Sequence, residues 1–214
     1  MEDRDTPALY LEMTDLAPDR YESERLPALR ARSGIERVTL WRNERPNRDE
    51  FPRSVPEFET LVIYEVGAGF DAPKPADGVR GLHFRRTSRP GQGRLTGRPT
   101  LGLELVLVSP KTRAGAAALR DWADFLHIRE IAAASVPGFT MITPYENVSD
   151  TGPRYMHFYE MDTPDAETTF QTMTPTTIER MRAIGAESVR EWAGHPELVI
   201  DYVNTFTRVA VVDP

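Results

Sequence analysis

Residues 101–108 read LGLELVLV, and residues 8–16 read ALYLEMTDL. The two runs align through Glu104 and Glu12, each preceded by a leucine, Leu103 and Leu11. Each run meets a proline six residues after its glutamate, Pro110 and Pro18. Apolar and polar residues alternate along both, the period of a strand with one oily face. A strand that restarts midway implies two divergent copies of one unit. The copies span 7–86 and 101–212. Between them lies TSRPGQGRLTGRPT, residues 87–100, a Pro/Gly-rich linker.

Working outward, Pro18 suits the first turn of a helix that runs to about residue 32 and stops at Gly34. Strands follow at 35–43, 58–66 and 81–86, with a long loop at 44–57 and only a short helix expected in 67–79. In the second copy, a strand at 101–108 leads to a helix over about 112–134. Its Leu119, Trp122 and Leu126 share a face. Pro137-Gly138 ends it. Strands at 139–146 and 154–161 come next. Thr163-Pro164 and Thr174-Pro175 both read as helix starts, which predicts a second helix over about 175–193. A last strand covers 198–212. Ser33-Gly34-Ile35 matches Pro137-Gly138-Phe139, and Ile63-Tyr64-Glu65 matches Phe158-Tyr159-Glu160. The order β-α-β-β-α-β predicts an α+β fold of two tandem ferredoxin-like units.

The 214 residues hold 40% hydrophobic and 28% charged side chains, which is globular. A net charge of -7 argues against a nucleic-acid partner. No apolar run reaches membrane-spanning length, and the acidic N-terminus lacks a signal-peptide core. With no cysteine there is neither a thiol nucleophile nor a thiolate metal site. A cytoplasmic location fits. The arginines at 85, 86, 89, 94 and 98 read as a solvated linker. The four histidines show no metal-binding spacing, so no metal is expected. Nucleotide and serine-hydrolase motifs are missing as well.

Trp122, Phe125 and His127 before a helix end, then Pro137-Gly138-Phe139, then Pro153-Arg154-Tyr155 and Tyr159-Glu160, resemble the dimeric α/β-barrel proteins. The nearest likeness is to the EthD-like group, named for ethyl tert-butyl ether degradation. The second copy matches over about 101–212 and the first more loosely. The resemblance implies two ferredoxin-like units packed sheet to sheet, here fused into an intramolecular dimeric α/β barrel. It also implies a small hydrophobic ligand and often no cofactor, with haem on one axial histidine as the alternative. Many members carry a helix histidine where this chain has Arg129, and Arg25 in the first copy.

Strand parity sorts side chains by face. With the leucines toward the helices, Glu12 and Glu104 point into the space between sheets. Tyr10, Trp41, Tyr64, Tyr145, Tyr155, His157 and Tyr159 join them, and His83 can. Such a lumen suits a small molecule. Glu104 or His157, and Glu12 at the matched position, are candidate general bases or acids. The tyrosines and Trp41 would position substrate. A polar residue on the back of a strand often only faces water, and aromatic residues are ordinary sheet formers. His127 with Asp124 is either a tuned imidazole or a plain surface pair. The expected function is a cofactor-independent enzyme initiating chemistry by proton abstraction. The competing reading is a binding or assembly protein with a self-filled lumen. Exposed helix faces leave room for a homodimer.

Overall fold

The computed structural model describes residues 6–30, 32–67, 69–185 and 189–212. The first half supplies strands β1 (Ala8–Thr14), β2 (Ile35–Asn43), β3 (Thr60–Val66) and β4 (Val79–Arg86) and the short helices α1 (Pro18–Glu24) and α2 (Leu26–Arg30). A two-residue strand β5 (Gln92–Gly93) follows. The second half supplies β6 (Gly102–Pro110), α3 (Ala116–Trp122), α4 (Ile128–Ala133), β7 (Phe139–Asn147), β8 (Tyr155–Met161), α5 (Ala166–Ala183), α6 (Val189–Ala193) and β9 (Leu198–Val212). A π-helical turn, Ala123–His127, joins α3 to α4.

All strand pairs are antiparallel, in the order β4-β1-β3-β2-β9-β6-β8-β7. Phe84 to Arg86 of β4 also pair with Tyr145 to Asn147 of β7, which closes eight strands into a ring. Each half thus contributes four consecutive strands in the same spatial order. The matched turns keep matched geometry. Gly34 and Gly138 have φ of +85° and +84°, a region where a Cβ is strained.

Leu9, Leu11, Leu103, Leu105 and Leu107 meet Trp41, Phe84, Tyr145, Phe158 and Phe206 in one cluster spanning both halves. This is the barrel interior, filled by side chains as a small barrel must be. Besides a smaller core around Val108, Leu119 and Tyr155, two larger ones lie outside the barrel. One packs α1 and α2 onto the first half; the other packs α4, α5 and α6 onto the second. So the leucines face inward, and Glu12, Glu104, His157 and Tyr159 face the helices, the reverse of the expected sides. Period two assigns residues to a common face but does not say which face is interior. Helices cover the outer surface, so β3 and β8 are buried at every position.

Two element predictions change. Among the described residues, 67–79 holds no helix. Thr174-Pro175 is not a helix start: Pro175 lies inside α5, which begins after Asp165, whose carboxylate accepts the Thr168 N–H. Among the described residues no helix is long and apolar enough to cross a membrane.

Candidate functional site

A cavity of about 370 Å³ lies between the outer face of β6, β8 and β9 and the helices of the second half. Its size is that of a small-molecule site. Trp122, Trp192, Phe170 and Met173 supply apolar walls, and Phe51 arrives from the 44–57 loop of the first half. Phe51 stands edge-on to Phe170, ring centres 6.1 Å apart. Glu104, His127, His157 and Tyr159 are the ionisable groups on the lining.

Glu104 is 4% exposed and makes no hydrogen bond with the described residues; its Oε2 is fully buried. Burial pushes its pKa up to about 8, with nearby Glu167 adding and Arg48 opposing. The carboxyl is therefore a neutral acid at pH 7. Tyr159, its cross-strand neighbour, has a hydroxyl that makes no hydrogen bond with the described residues, and burial raises its pKa well above the ordinary value.

The π-helical turn brings in the two histidine systems. One extra residue in the turn widens the helix, and Asp124 becomes 1% exposed. Its Oδ1 accepts from His157 Nε2 at 3.0 Å. Oδ2 lies 3.4 Å from Arg89 and 3.6 Å from Arg120. His157 is thus oriented by a carboxylate, and its Nδ1 makes no hydrogen bond with the described residues. His127 is stacked between Trp122 and Trp192, at 4.8 and 5.3 Å. Its Nδ1 donates to the Trp192 carbonyl at 3.0 Å, and its own carbonyl accepts Trp192 Nε1 at 3.0 Å. Nε2 keeps its lone pair. Burial pushes the His127 pKa down to about 4. Asp124 therefore serves His157 rather than His127, the pair suggested by helical spacing.

Arg89 comes from the 87–100 stretch. It also pairs with Asp121 at 2.7 Å and lies 5.0 Å over Phe125. Gln92 and Gly93 pair with β7. This part of the stretch is docked on the second half rather than solvated.

Glu12 sits elsewhere, under α1. It accepts from Tyr21 at 2.6 Å, Tyr10 at 3.2 Å, and Arg25 at 2.9 and 2.6 Å. Tyr64 bonds Tyr21 at 2.6 Å. These groups fill their space. The matching Arg129 turns outward to Glu130 at 2.8 Å, and no cation from that helix reaches Glu104. Trp41 and Tyr145 lie in the barrel interior, Trp41 donating to Thr39 at 2.8 Å. Tyr155 packs beside Val108 and Leu119 and donates to the Ala116 carbonyl at 3.3 Å, away from the cavity lining. His83 contacts Tyr10 and Phe70 on the first half, and burial lowers its pKa. The structure therefore unites Glu104, His157, Tyr159 and His127, and separates them from Glu12, Tyr10, Tyr64, Trp41, Tyr145, Tyr155 and His83. Phe51, Phe170 and Trp192 were not foreseen. Each sits on a loop or helix whose docking no local pattern encodes. Among the described residues no cluster of three metal-ligating side chains occurs.

No family model matches the sequence, and no curated protein is similar to it. Solved structures share its fold. An anthrone oxidase-like protein superposes with a TM-score of 0.58 at 16% identity, covering 100% of this chain and 95% of that one. A protein described as a monooxygenase from Lactobacillus acidophilus gives 0.51 at 12% identity, with 98% and 97% covered. A mutant chlorite dismutase from Candidatus Nitrospira defluvii gives 0.52 at 9% identity, with 97% and 92% covered. These likenesses establish the architecture, an α+β chain closed into a dimeric α/β-barrel-type fold.

Proposed function

We propose that the chain is a cofactor-independent enzyme acting on a small hydrophobic or aromatic substrate. The observation that carries this is the Glu104 carboxyl, buried and unpartnered on the wall of an aromatic-lined cavity. Buried carboxyls without a protein hydrogen bond concentrate at functional sites. We also read the two halves as diverged ferredoxin-like units in tandem, EthD-like in ancestry, because both run in the same strand order.

His157 is the base. Asp124 holds the Nε2 proton, so Nδ1 is free to take a proton from an activated C–H. Glu104, neutral at pH 7, donates a hydrogen bond to the oxygen on which charge develops, and Tyr159 adds a second. Oxygenation, isomerisation and elimination all begin with that carbanion. The neighbours described as oxidase-like and monooxygenase favour oxygenation. The apolar walls lower the local polarity, which strengthens both hydrogen bonds.

Haem on one axial histidine is the competing cofactor. His127, with Nδ1 bonded and Nε2 free, has the right tautomer. The cavity wall does not fit: among the described residues no lysine or arginine lines it to meet propionates. Nearby Arg48 is already paired with Glu167.

The test is deuterium uptake from D2O into aromatic ketones with an acidic C–H, such as anthrone and 2-tetralone, with oxygen consumption read in parallel. Wild type should accelerate exchange, and His157→Gln should lose about 100-fold or more of it, the usual scale for a general base. Equal rates in wild type and His157→Gln would sink the catalytic reading. Tight binding without exchange would select the binding-protein alternative.

A further inference from the structure

Arg48 lies in the 44–57 loop and is 3% exposed. Its Nη2 is hydrogen-bonded to Glu167 of α5 and reaches Thr205 at 3.3 Å. Nε donates to Asn204 at 3.2 Å, and the guanidinium lies 4.5 Å from the centre of the Phe170 ring. The remaining nitrogen, Nη1, is buried and makes no hydrogen bond, with Glu50 at 3.7 Å an ion pair only. Glu104 Oε2 is likewise buried without a hydrogen bond. Arg48 and Glu167 are also the charges that act on Glu104, in opposite senses. An unfilled donor and an unfilled acceptor thus sit on neighbouring groups, since Thr205, which Arg48 reaches, is the cross-strand partner of Glu104, and such groups are costly to leave unmade.

We propose that Arg48 is a latch shared between two carboxyls. On Glu167 it holds residues 48–51, with Phe51, over the cavity and leaves Glu104 a neutral acid. On Glu104 it makes that carboxyl an anion and releases that segment, while Arg45 on Glu167 and Ser54 on Asp201 keep the two ends of the 44–57 loop anchored. Arg48 is then a positioning residue, and it joins lid closure to the protonation of the site. This rests on the reading of the cavity as the functional site. The groups facing Glu104 are Tyr159 and His157 from β8, His127 from the π-helical turn, Glu167 from α5 and Arg48 itself. Of these, Arg48 is the guanidinium that opposes the charge of Glu167 at Glu104. As Glu104 ionises, it competes with Glu167 for the guanidinium.

Infrared titration of the protonated-carboxyl band, assigned by its loss in Glu104→Gln, tests this in the intact protein. In wild type the band should be present at pH 7. Glu167→Gln removes a repelling charge and frees Arg48, so the band should vanish about one to three pH units earlier. Arg48→Met should keep it to higher pH. Amide exchange across 48–51, corrected for its chemical pH trend, should rise between pH 7 and 9 in wild type but not in Glu104→Gln. If Arg48→Met fails to fold, Glu167→Gln decides, since glutamine keeps the shape of glutamate. An unshifted band in Glu167→Gln, or identical loop exchange in wild type and Glu104→Gln, overturns the latch. No acid band in wild type at pH 7 overturns the site reading with it; a normal band that ignores Glu167 overturns the latch alone.

Discussion

Glu12 and Glu104 occupy matched strand positions in the two halves of the ring, and one is saturated while the other has no hydrogen bond to the described residues. Arg25, Tyr21 and Tyr10 converge on Glu12. Glu104 faces a cavity instead. A carboxylate with four donors serves as a structural rivet; the carboxyl without them is the group on which the proposed function rests.

Arg25 is the cation that holds the rivet. Arg25→Ala leaves the Glu12 charge buried among tyrosines, and such one-sided loss costs about 3–5 kcal/mol. Urea denaturation at pH 7 should show it. Deuterium uptake into ketone substrates should stay at the wild-type rate in the folded fraction.

Glu104 gives the opposite result. Its pKa rises from the ordinary carboxyl value to about 8 on folding. Stability is therefore intact below about pH 4.5 and lost as pH rises through 8, by roughly 3 kcal/mol or more. Glu104→Gln should abolish that slope in denaturation curves taken from pH 5 to 9. A slope that survives the substitution would assign it to another group.

His127 works in the acid range. Folding lowers its pKa to about 4, so its contribution is full above about pH 6.5 and drains away as pH falls toward 4, by at most about 3 kcal/mol. His127→Phe keeps a ring between Trp122 and Trp192 and should flatten the stability profile between pH 6.5 and 4. Thermal melts across that range read the difference directly.

Pro175 interrupts the hydrogen-bond ladder of α5, whose next residues include Ile178 on the cavity wall. Proline inside a helix costs about 3 kcal/mol, less about 1 kcal/mol recovered from the stiffer unfolded chain. Pro175→Ala should therefore raise stability by about 2 kcal/mol, seen as a higher melting temperature. An unchanged melt would mean that α5 has already adapted its ladder around the ring.

Several of these features are legible in the amino-acid sequence. The strands around Glu12 and Glu104, the strand at 35–43 and the turns at Gly34 and Gly138 are visible because alternation and turn chemistry are local. The sidedness of the strands is not. Leu11 and Glu12 are both fully buried, one by strands across the barrel and the other by a helix, and local pattern does not distinguish those two coverings. The fate of Glu104 was hidden for a related reason. It depends on Arg129 turning away where Arg25 turns in, and on Arg48 and Phe51 arriving from the other half. The π-helical turn at Ala123–His127 leaves no compositional mark, yet it moves Asp124 from a partner of His127 to a partner of His157.

The ring is closed by β4 and β7 of the same polypeptide. A barrel assembled from two separate chains obeys mass action and comes apart on dilution, taking any site that borrows residues across the seam with it. Here Phe51 and Arg48 are tethered to the cavity they cover, so closure is unimolecular. Its melting temperature should not depend on protein concentration, and the cavity should stay walled at the sparsest copy number in a cell.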